Sequence, residues 1–166
     1  VTLIASLTIG VALRATGNGG TFEHIDASGA TTATPTTSWF NNHPIWGGMQ
    51  DVEVDGQSMV EVPKFYVKRG TAGGDPAWWI SDQPLAGYEV HPAFLLDGVE
   101  VPAFQHGKYQ ASLSGGKLQS VPGVTPTVSR SLTQFLADAE ARNVGGVAGF
   151  RPVSYTHLRA HETVLD

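Results

Sequence analysis

Glycine and proline limit the length of helices and strands over most of this chain. The 166 residues include 20 glycines and 10 prolines, and both residue types mark turns and the ends of regular elements. In the middle of the chain, Pro84, Gly87, Pro92 and Gly98 leave room only for short elements. The sequence therefore predicts many short strands that are joined by turns.

The clearest turn is the dipeptide Asp55-Gly56, because apolar and polar residues alternate on both sides of it. Asp-Gly suits the positive φ angles of a tight hairpin turn. The following segments 63–69 and 77–80 have the alternation or the aromatic content of further strands. We expect short antiparallel strands here, since no alternation of strand and helix typical of a parallel sheet is visible.

One segment, about 130–143, has the periodicity of an amphipathic helix. Ser129 or Ser131 is suited to cap its start, and Asn143 or Gly145 is suited to end it. Its apolar stripe consists of Leu132, Phe135, Leu136 and Ala139. Together with the strands, this one clear helix predicts an α+β fold.

The chain before Trp39 has a different composition. Residues 1–13 are mostly apolar and predict a strand. The alternative is a signal peptide, but this segment has neither an initiating Met nor the basic first region of one. Residues 15–42 are rich in Gly, Ala, Thr, Ser and Asn, and the stretch 27–38 offers almost nothing to bury, so this region predicts a loop or linker. We therefore expect 1–38 to form one strand and a linker. Since no run reaches about 18 apolar residues, we expect no membrane insertion.

The charge and the missing cysteines exclude several classes of function. A net charge of −5 disfavours nucleic acid as a partner, because such proteins concentrate Lys and Arg against phosphates. Zero cysteines exclude disulfides, thiolate metal sites and cysteine nucleophiles. We found no nucleophile elbow, phosphate loop or spaced carboxylate pair, so we expect no catalytic residue, no metal and no cofactor.

The end of the chain resembles the translation of a sequencing adapter. The match covers Val153–Thr163, so we expect natural sequence up to about Pro152 and a non-native tail at 153–166. This tail contains His157 and His161, whose i, i+4 spacing with an adjacent Glu162 is that of a metal motif. We do not expect a metal site there, because the tail was not selected as protein.

Four blocks between residues 39 and 151 resemble a family of phage tail-fibre and prophage proteins. The blocks are Val54–Lys68, Trp78–Phe94, Gly107–Ser112 and Val121–Thr127. The resemblance implies a C-type-lectin-like fold, which is also called formylglycine-generating-enzyme-like, with 39–152 as its N-terminal part. In the family, ligand-contacting residues tend to follow this part, so we expect a truncated domain.

The resemblance also implies a function. We expect a non-catalytic module of a virion tail, extracellular when it meets the host, that binds a cell-surface receptor or glycan. Other tail proteins and further copies of the full-length chain would be its partners. The aromatic residues expected to contact the ligand are Trp78, Trp79, Tyr88 and Tyr109.

Three alternatives stay open. Neighbouring strand residues point to opposite faces, so Trp78 and Trp79 cannot both be displayed on one face, and both would suit a core. The chain would also suit a structural tail component that contacts no receptor. A relic of a formylglycine-generating type of enzyme is the third, although that chemistry requires cysteines and the chain has none.

Overall fold

Short strands dominate the computed structural model, which describes residues 8–16, 20–96, 98–144 and 149–150. The strands of five or more residues are β1 (Thr8–Ala15), β2 (Thr21–Ile25), β3 (Gln50–Val54), β4 (Gln57–Pro63), β5 (Tyr66–Ala72), β6 (Asp75–Ser81) and β10 (Ala103–Gly107). The shorter strands are β7 (Glu89–Val90), β8 (Leu95–Leu96), β9 (Val99–Glu100), β11 (Ser112–Ser114) and β12 (Lys117–Gln119). The helices are α1 (Thr37–Asn42), α2 (Leu132–Glu140) and a single 3₁₀ turn, Pro92–Phe94. Antiparallel strands with two α-helices agree with the expected α+β class at this coarse level.

The described chain divides into two compact units. Among the described residues, the first unit comprises those within 8–49 and 62–104. The second unit comprises those within 50–61 and 105–150. The division falls within β4 and β10. The segment up to residue 38, which we expected to be a strand and a linker, lies in the first unit. The adapter-like segment 153–166 and its two histidines lie outside the described residues.

A five-stranded sheet with the order β2-β1-β6-β5-β7 forms the frame of the first unit. β1 confirms the strand expected in 1–13 for the part that is described, but it extends to Ala15. One face of the sheet carries a cluster of buried side chains: Ala12, Ile25, Ala72, Ala77 and Trp79. Ile25 belongs to β2, which corrects our expectation of a linker at that point: a fully buried side chain holds this segment in the sheet.

A second cluster of buried side chains in the first unit surrounds Phe94, which is 0% exposed. Ile45 and Phe65 complete the buried part of this cluster. The six-residue helix α1, which our prediction missed, precedes Ile45 and begins where the Thr36 hydroxyl accepts a hydrogen bond from Trp39 N. A helix of six residues is too short to show a 3.6-residue periodicity, so the sequence pattern did not reveal it.

The hairpin predicted at Asp55-Gly56 is confirmed. β3 and β4 pair antiparallel, with Val54 opposite Gln57. The two turn residues have φ angles of 51° and 69°, which is the left-handed region that this turn requires and that Asp and Gly tolerate. The local sequence therefore determines both the position and the type of this turn.

The helix α2 in the second unit is shorter than predicted. It begins after Ser131, whose hydroxyl accepts from Gln134 N while the Gln134 side chain accepts from Ser131 N. It ends at Glu140 rather than near Asn143. Only part of the predicted apolar stripe is buried: Ala139 is buried, whereas Leu132 is 66% exposed.

Buried polar side chains are frequent in the second unit. They are Gln57, Ser112, Ser120, Asp138 and Arg142. Ser120 N donates to Gln57 Oε1 over 2.7 Å, and the Ser120 hydroxyl donates to Ser58 O over 2.7 Å. Among the described residues, both clusters of buried apolar side chains lie in the first unit. The second unit is therefore held to a larger extent by hydrogen bonds.

Candidate functional site

Trp79 is a core residue rather than a displayed one. Its side chain is 3% exposed, and its indole N–H donates to Asp26 O over 2.8 Å. A buried indole needs such an acceptor, because an unpaired N–H away from water is costly. The ring lies over Gly10, the residue opposite Trp79 on β1. This corrects the expectation that Trp79 contacts a ligand at the surface.

Trp78 lies on the other face of the same sheet, as the alternation of strand side chains requires. It is half-buried and stands opposite Val11 on β1 and Arg69 on β5. Tyr109 belongs to the second unit and is 38% exposed. The four aromatic residues predicted to form a site are therefore distributed over different surfaces, and only Trp79 and Tyr88 lie together.

The residue that joins Trp79 and Tyr88 is Lys68. Its Nζ atom lies 4.6 Å from the centroid of the Trp79 ring and 5.8 Å from that of the Tyr88 ring. Lys68 is directly opposite Trp79 in the pairing of β5 with β6. A cation over aromatic faces is attracted by the ring electrons. The two rings therefore hold the ammonium group in a defined position. Burial also raises the pKa of the Tyr88 phenol, because desolvation disfavours the phenolate.

Lys68 lines a surface depression of about 350 Å³ at the edge of the sheet. The other charged residues in its wall are Arg69 and Glu89. Its apolar wall consists of Val67, Val90 and Pro92. β7 pairs with β5 only at Tyr66 and Val67, so the depression lies where β5 continues beyond its short neighbour. It is within the lower part of the roughly 300–1,000 Å³ range of small-ligand sites.

Most of the other described cations have a carboxylate partner. Arg14 pairs with Glu23 and Asp75, and Lys64 pairs with Glu100 at 2.5 Å. The same is true of Lys108, Arg130 and Arg142. Within the described part of the chain, no carboxylate lies within salt-bridge distance of Lys68. The described neighbours of its ammonium group are therefore the two aromatic rings.

Sequence reasoning missed Lys68 because its importance depends on pairing between β5 and β6. It also missed a cluster of four rings, in which neighbouring centroids lie 4.5 to 5.7 Å apart. The members are Trp39, Phe40, His43 and Trp46. A signal for this cluster was present, since four rings within eight residues is a high local density. Trp46 packs against the Phe94 cluster, so the ring cluster also extends the core.

Two histidines use the same local arrangement. His43 Nδ1 accepts from Ile45 N over 3.1 Å, and His91 Nδ1 accepts from Ala93 N over 3.2 Å. In both cases a proline follows the histidine, and both imidazoles are buried. These contacts give His43 and His91 a structural role. Among residues 8–16, 20–96, 98–144 and 149–150, no group of three or more His, Cys, Asp or Glu side chains is arranged to hold a metal.

No described helix is long and apolar enough to cross a membrane. The chain matches no family model, no curated protein and no solved structure. The candidate site consists of a depression with an apolar wall, beside a cation held by two rings.

Proposed function

We propose that this chain is a non-catalytic binding module of the phage tail-fibre type, which recognises a receptor or glycan on a host cell surface. The depression beside Lys68 carries this proposal, because it offers a concave wall with both charged and apolar residues. The four sequence blocks that resemble tail-fibre proteins support it. The same resemblance supports a truncated C-type-lectin-like fold.

Under this proposal the chain acts in the virion tail, outside the cell, beside other tail proteins. A single shallow site binds weakly, so copies of the full-length chain would act together. Linked sites raise the overall affinity by roughly 10²–10⁴ without new contacts, provided that the geometry lets them bind simultaneously. In this proposal the protein binds its ligand and catalyses no reaction.

The experiment that tests the proposal is binding of the purified chain to an array of immobilised bacterial surface polysaccharides. We expect saturable binding to at least one polysaccharide, and weaker binding for the double variant Arg69→Ala/Glu89→Ala in the wall of the depression. The control Glu140→Ala changes an exposed residue of α2 in the second unit and should bind as the wild type does. Absence of saturable binding, or equal loss in the control, would contradict the proposal.

A second function, structural assembly of the tail, is favoured by one observation. The hairpin of β8 and β9 exposes three apolar side chains: Leu95 is 43%, Leu96 45% and Val99 66% exposed. Exposed apolar patches mark interaction surfaces. If assembly is the function, sedimentation should show association that Val99→Glu abolishes, while binding to polysaccharides is absent. The relic of a formylglycine-generating type of enzyme gains no support, since the chain contains no cysteine.

A further inference from the structure

The strand β3 in the second unit is the last strand of the sheet β10-β4-β3 and has a strand neighbour on one side only. Because the turn that follows it has two residues, Val54 and Gln57 form a pair that exchanges backbone hydrogen bonds. Alternation then directs the backbone groups of Val52 toward β4, and those of Asp51 and Glu53 away from it. The outer edge of β3 therefore presents the N–H and C=O groups of Asp51 and Glu53.

The hydrogen bonds of β4 agree with this alternation. Ser58, which is opposite Glu53, donates its N–H to Ser120 O over 2.9 Å, and Ser58 O accepts from Lys108 N over 3.0 Å. The backbone groups of Ser58 thus point away from β3, and those of Glu53 point away from β4. Within the described part of the chain, no backbone group bonds to the N–H or C=O of Asp51 or Glu53 at this edge.

The side chains along this edge are acidic. Asp51 and Glu53 are two residues apart, so they point to the same face of the strand, and both are exposed. Lys108 forms an ion pair with Asp51. Among the described residues, no salt bridge involves Glu53. The edge therefore keeps a carboxylate that the cation of a partner can meet.

The two carboxylates disfavour a second copy of β3 as the neighbour at this edge. Antiparallel pairing of two overlapping β3 strands places acidic side chains opposite acidic ones, and like charges directly opposite each other are destabilising. A strand with Lys or Arg at these positions meets the carboxylates with the opposite charge. Charge complementarity therefore favours a basic segment.

We propose that the outer edge of β3 binds an extended segment of a partner protein that has basic residues at two alternate positions. The segment adds a strand to the sheet, and its backbone bonds to Asp51 and Glu53. Its basic side chains lie opposite these two residues, and the residue between them lies opposite Val52. An apolar residue fits that position, because Val52 is half-buried. This surface is separate from the depression beside Lys68.

The test is a titration of the full chain with the synthetic peptide Thr-Thr-Lys-Val-Lys-Thr-Thr, followed by NMR-detected amide hydrogen exchange. At a peptide concentration of about ten times Kd, exchange at Asp51 and Glu53 should slow by about tenfold, because pairing occupies both N–H groups. Binding that leaves exchange at these two amides unchanged would be a side-chain contact alone and would overturn the proposal. The peptide Thr-Thr-Glu-Val-Glu-Thr-Thr should not slow exchange, and equal slowing by it would refute the charge selection.

A pair of charge variants tests the role of Glu53. Glu53→Lys should weaken binding of the basic peptide by about tenfold, because a favourable cross-strand pair becomes a like-charge pair. Glu140→Lys is the matched control: it changes the net charge equally, at an exposed position of α2 in the same unit, and should bind as the wild type does. Equal weakening in the two variants would assign binding to the overall charge and contradict the proposal.

Sedimentation and exchange without peptide distinguish this partner from a second copy of the chain. We expect the amides of Asp51 and Glu53 to exchange rapidly at every protein concentration. If they become protected as the chain dimerises, a second copy occupies the edge and the proposed partner is wrong.

Discussion

At the scale of single residues, the indole of Trp79 is held by contacts from several segments. Gly10 lies below the ring, Lys68 lies above it, and Asp26 accepts its N–H through a backbone oxygen. Each contact comes from a different part of the chain. Several independent contacts therefore fix the position of Trp79, and small substitutions around it should lower the stability of the fold.

Gly10→Ala tests how tightly the indole is seated. An added Cβ would lie 2.5 Å from Trp79 Cδ1 and 2.8 Å from Trp78 O, closer than side chains pack. Overpacking of this kind costs about 1–3 kcal/mol, which urea unfolding measures. Gly70→Ala is the matched control, because its Cβ would lie 3.5 Å from Trp79 Cζ3, an ordinary contact. Equal stability of the two variants would contradict the packing described.

Asp26 makes the first unit sensitive to acid. Its carboxylate accepts from the Ser28 hydroxyl, and also from the backbone N–H of Ser28 and of Ala30. These bonds lower its pKa from 3.8, the Ser28 hydroxyl contributing most. Because the folded-state pKa is depressed, the stabilisation is present above the unfolded-state pKa and is lost as pH falls through the folded-state value.

The variant Asp26→Asn should therefore lose less stability than the wild type when the pH is lowered from about 5 to about 3. Urea unfolding at the two pH values measures this difference. Glu53→Gln on β3 is the control: Glu53 is exposed, and this variant should follow the wild type. A parallel pH response of Asp26→Asn and wild type would exclude a contribution from the Asp26 hydrogen bonds.

At the scale of elements, the features that could be predicted from the sequence are those set by residues close together in the chain. The β3–β4 hairpin was predictable because Asp55 and Gly56 favour its turn wherever the strands pack. The start of α2 was predictable for the same reason, since Ser131 and Gln134 form a local capping box. Its end was not: the helix stops at Glu140, and Arg142 turns to Leu118 O and Asp55, which are distant in sequence.

The elements that sequence reasoning missed depend on distant contacts. β2 was not expected because its two apolar residues, Phe22 and Ile25, are not spaced in the two-residue alternation of a strand, and it is a strand through its pairing with β1. The site has the same origin, since Lys68 gains its role from Trp79 and Tyr88. The alternation of side chains along a strand shows which residues share a face of that strand, but it does not show which strands become neighbours. The contact between Lys68 on β5 and Trp79 on β6 therefore could not be predicted.

The capping box of α2 gives a test at this scale. Ser131→Ala removes the acceptor for Gln134 N and should lower the unfolding free energy by about 1 kcal/mol, the usual effect of losing an N-cap. Thr133→Ala, an exposed position in the same helix, should leave the stability unchanged or raise it, because Ala is the better helix former. Urea unfolding followed by circular dichroism compares the two. A loss in Thr133→Ala equal to that in Ser131→Ala would show that capping is not the cause.

At the scale of the whole molecule, the two units rely on different interactions. The first contains both clusters of buried apolar side chains found in the described residues. In the second, Arg142 is 8% exposed and donates to Leu118 O and, over 2.6 Å, to Asp55 Oδ2. Removing one partner of a buried polar contact leaves the other unsatisfied, which is costly. Truncation of Arg142 should therefore destabilise the second unit.

Hydrogen exchange can show whether the units open separately. Regions of a protein open with different free energies, in cooperative segments. In Arg142→Met, the amides of 50–61 and 105–144 should exchange about tenfold faster or more, as expected for a loss of roughly 1.4 kcal/mol or more, while those of β1 and β6 keep their rates. Gly10→Ala should produce the reverse pattern, so each variant is the control for the other. If both variants accelerate exchange throughout the described chain, it opens as one cooperative body, and the division between apolar and hydrogen-bonded units has no energetic meaning.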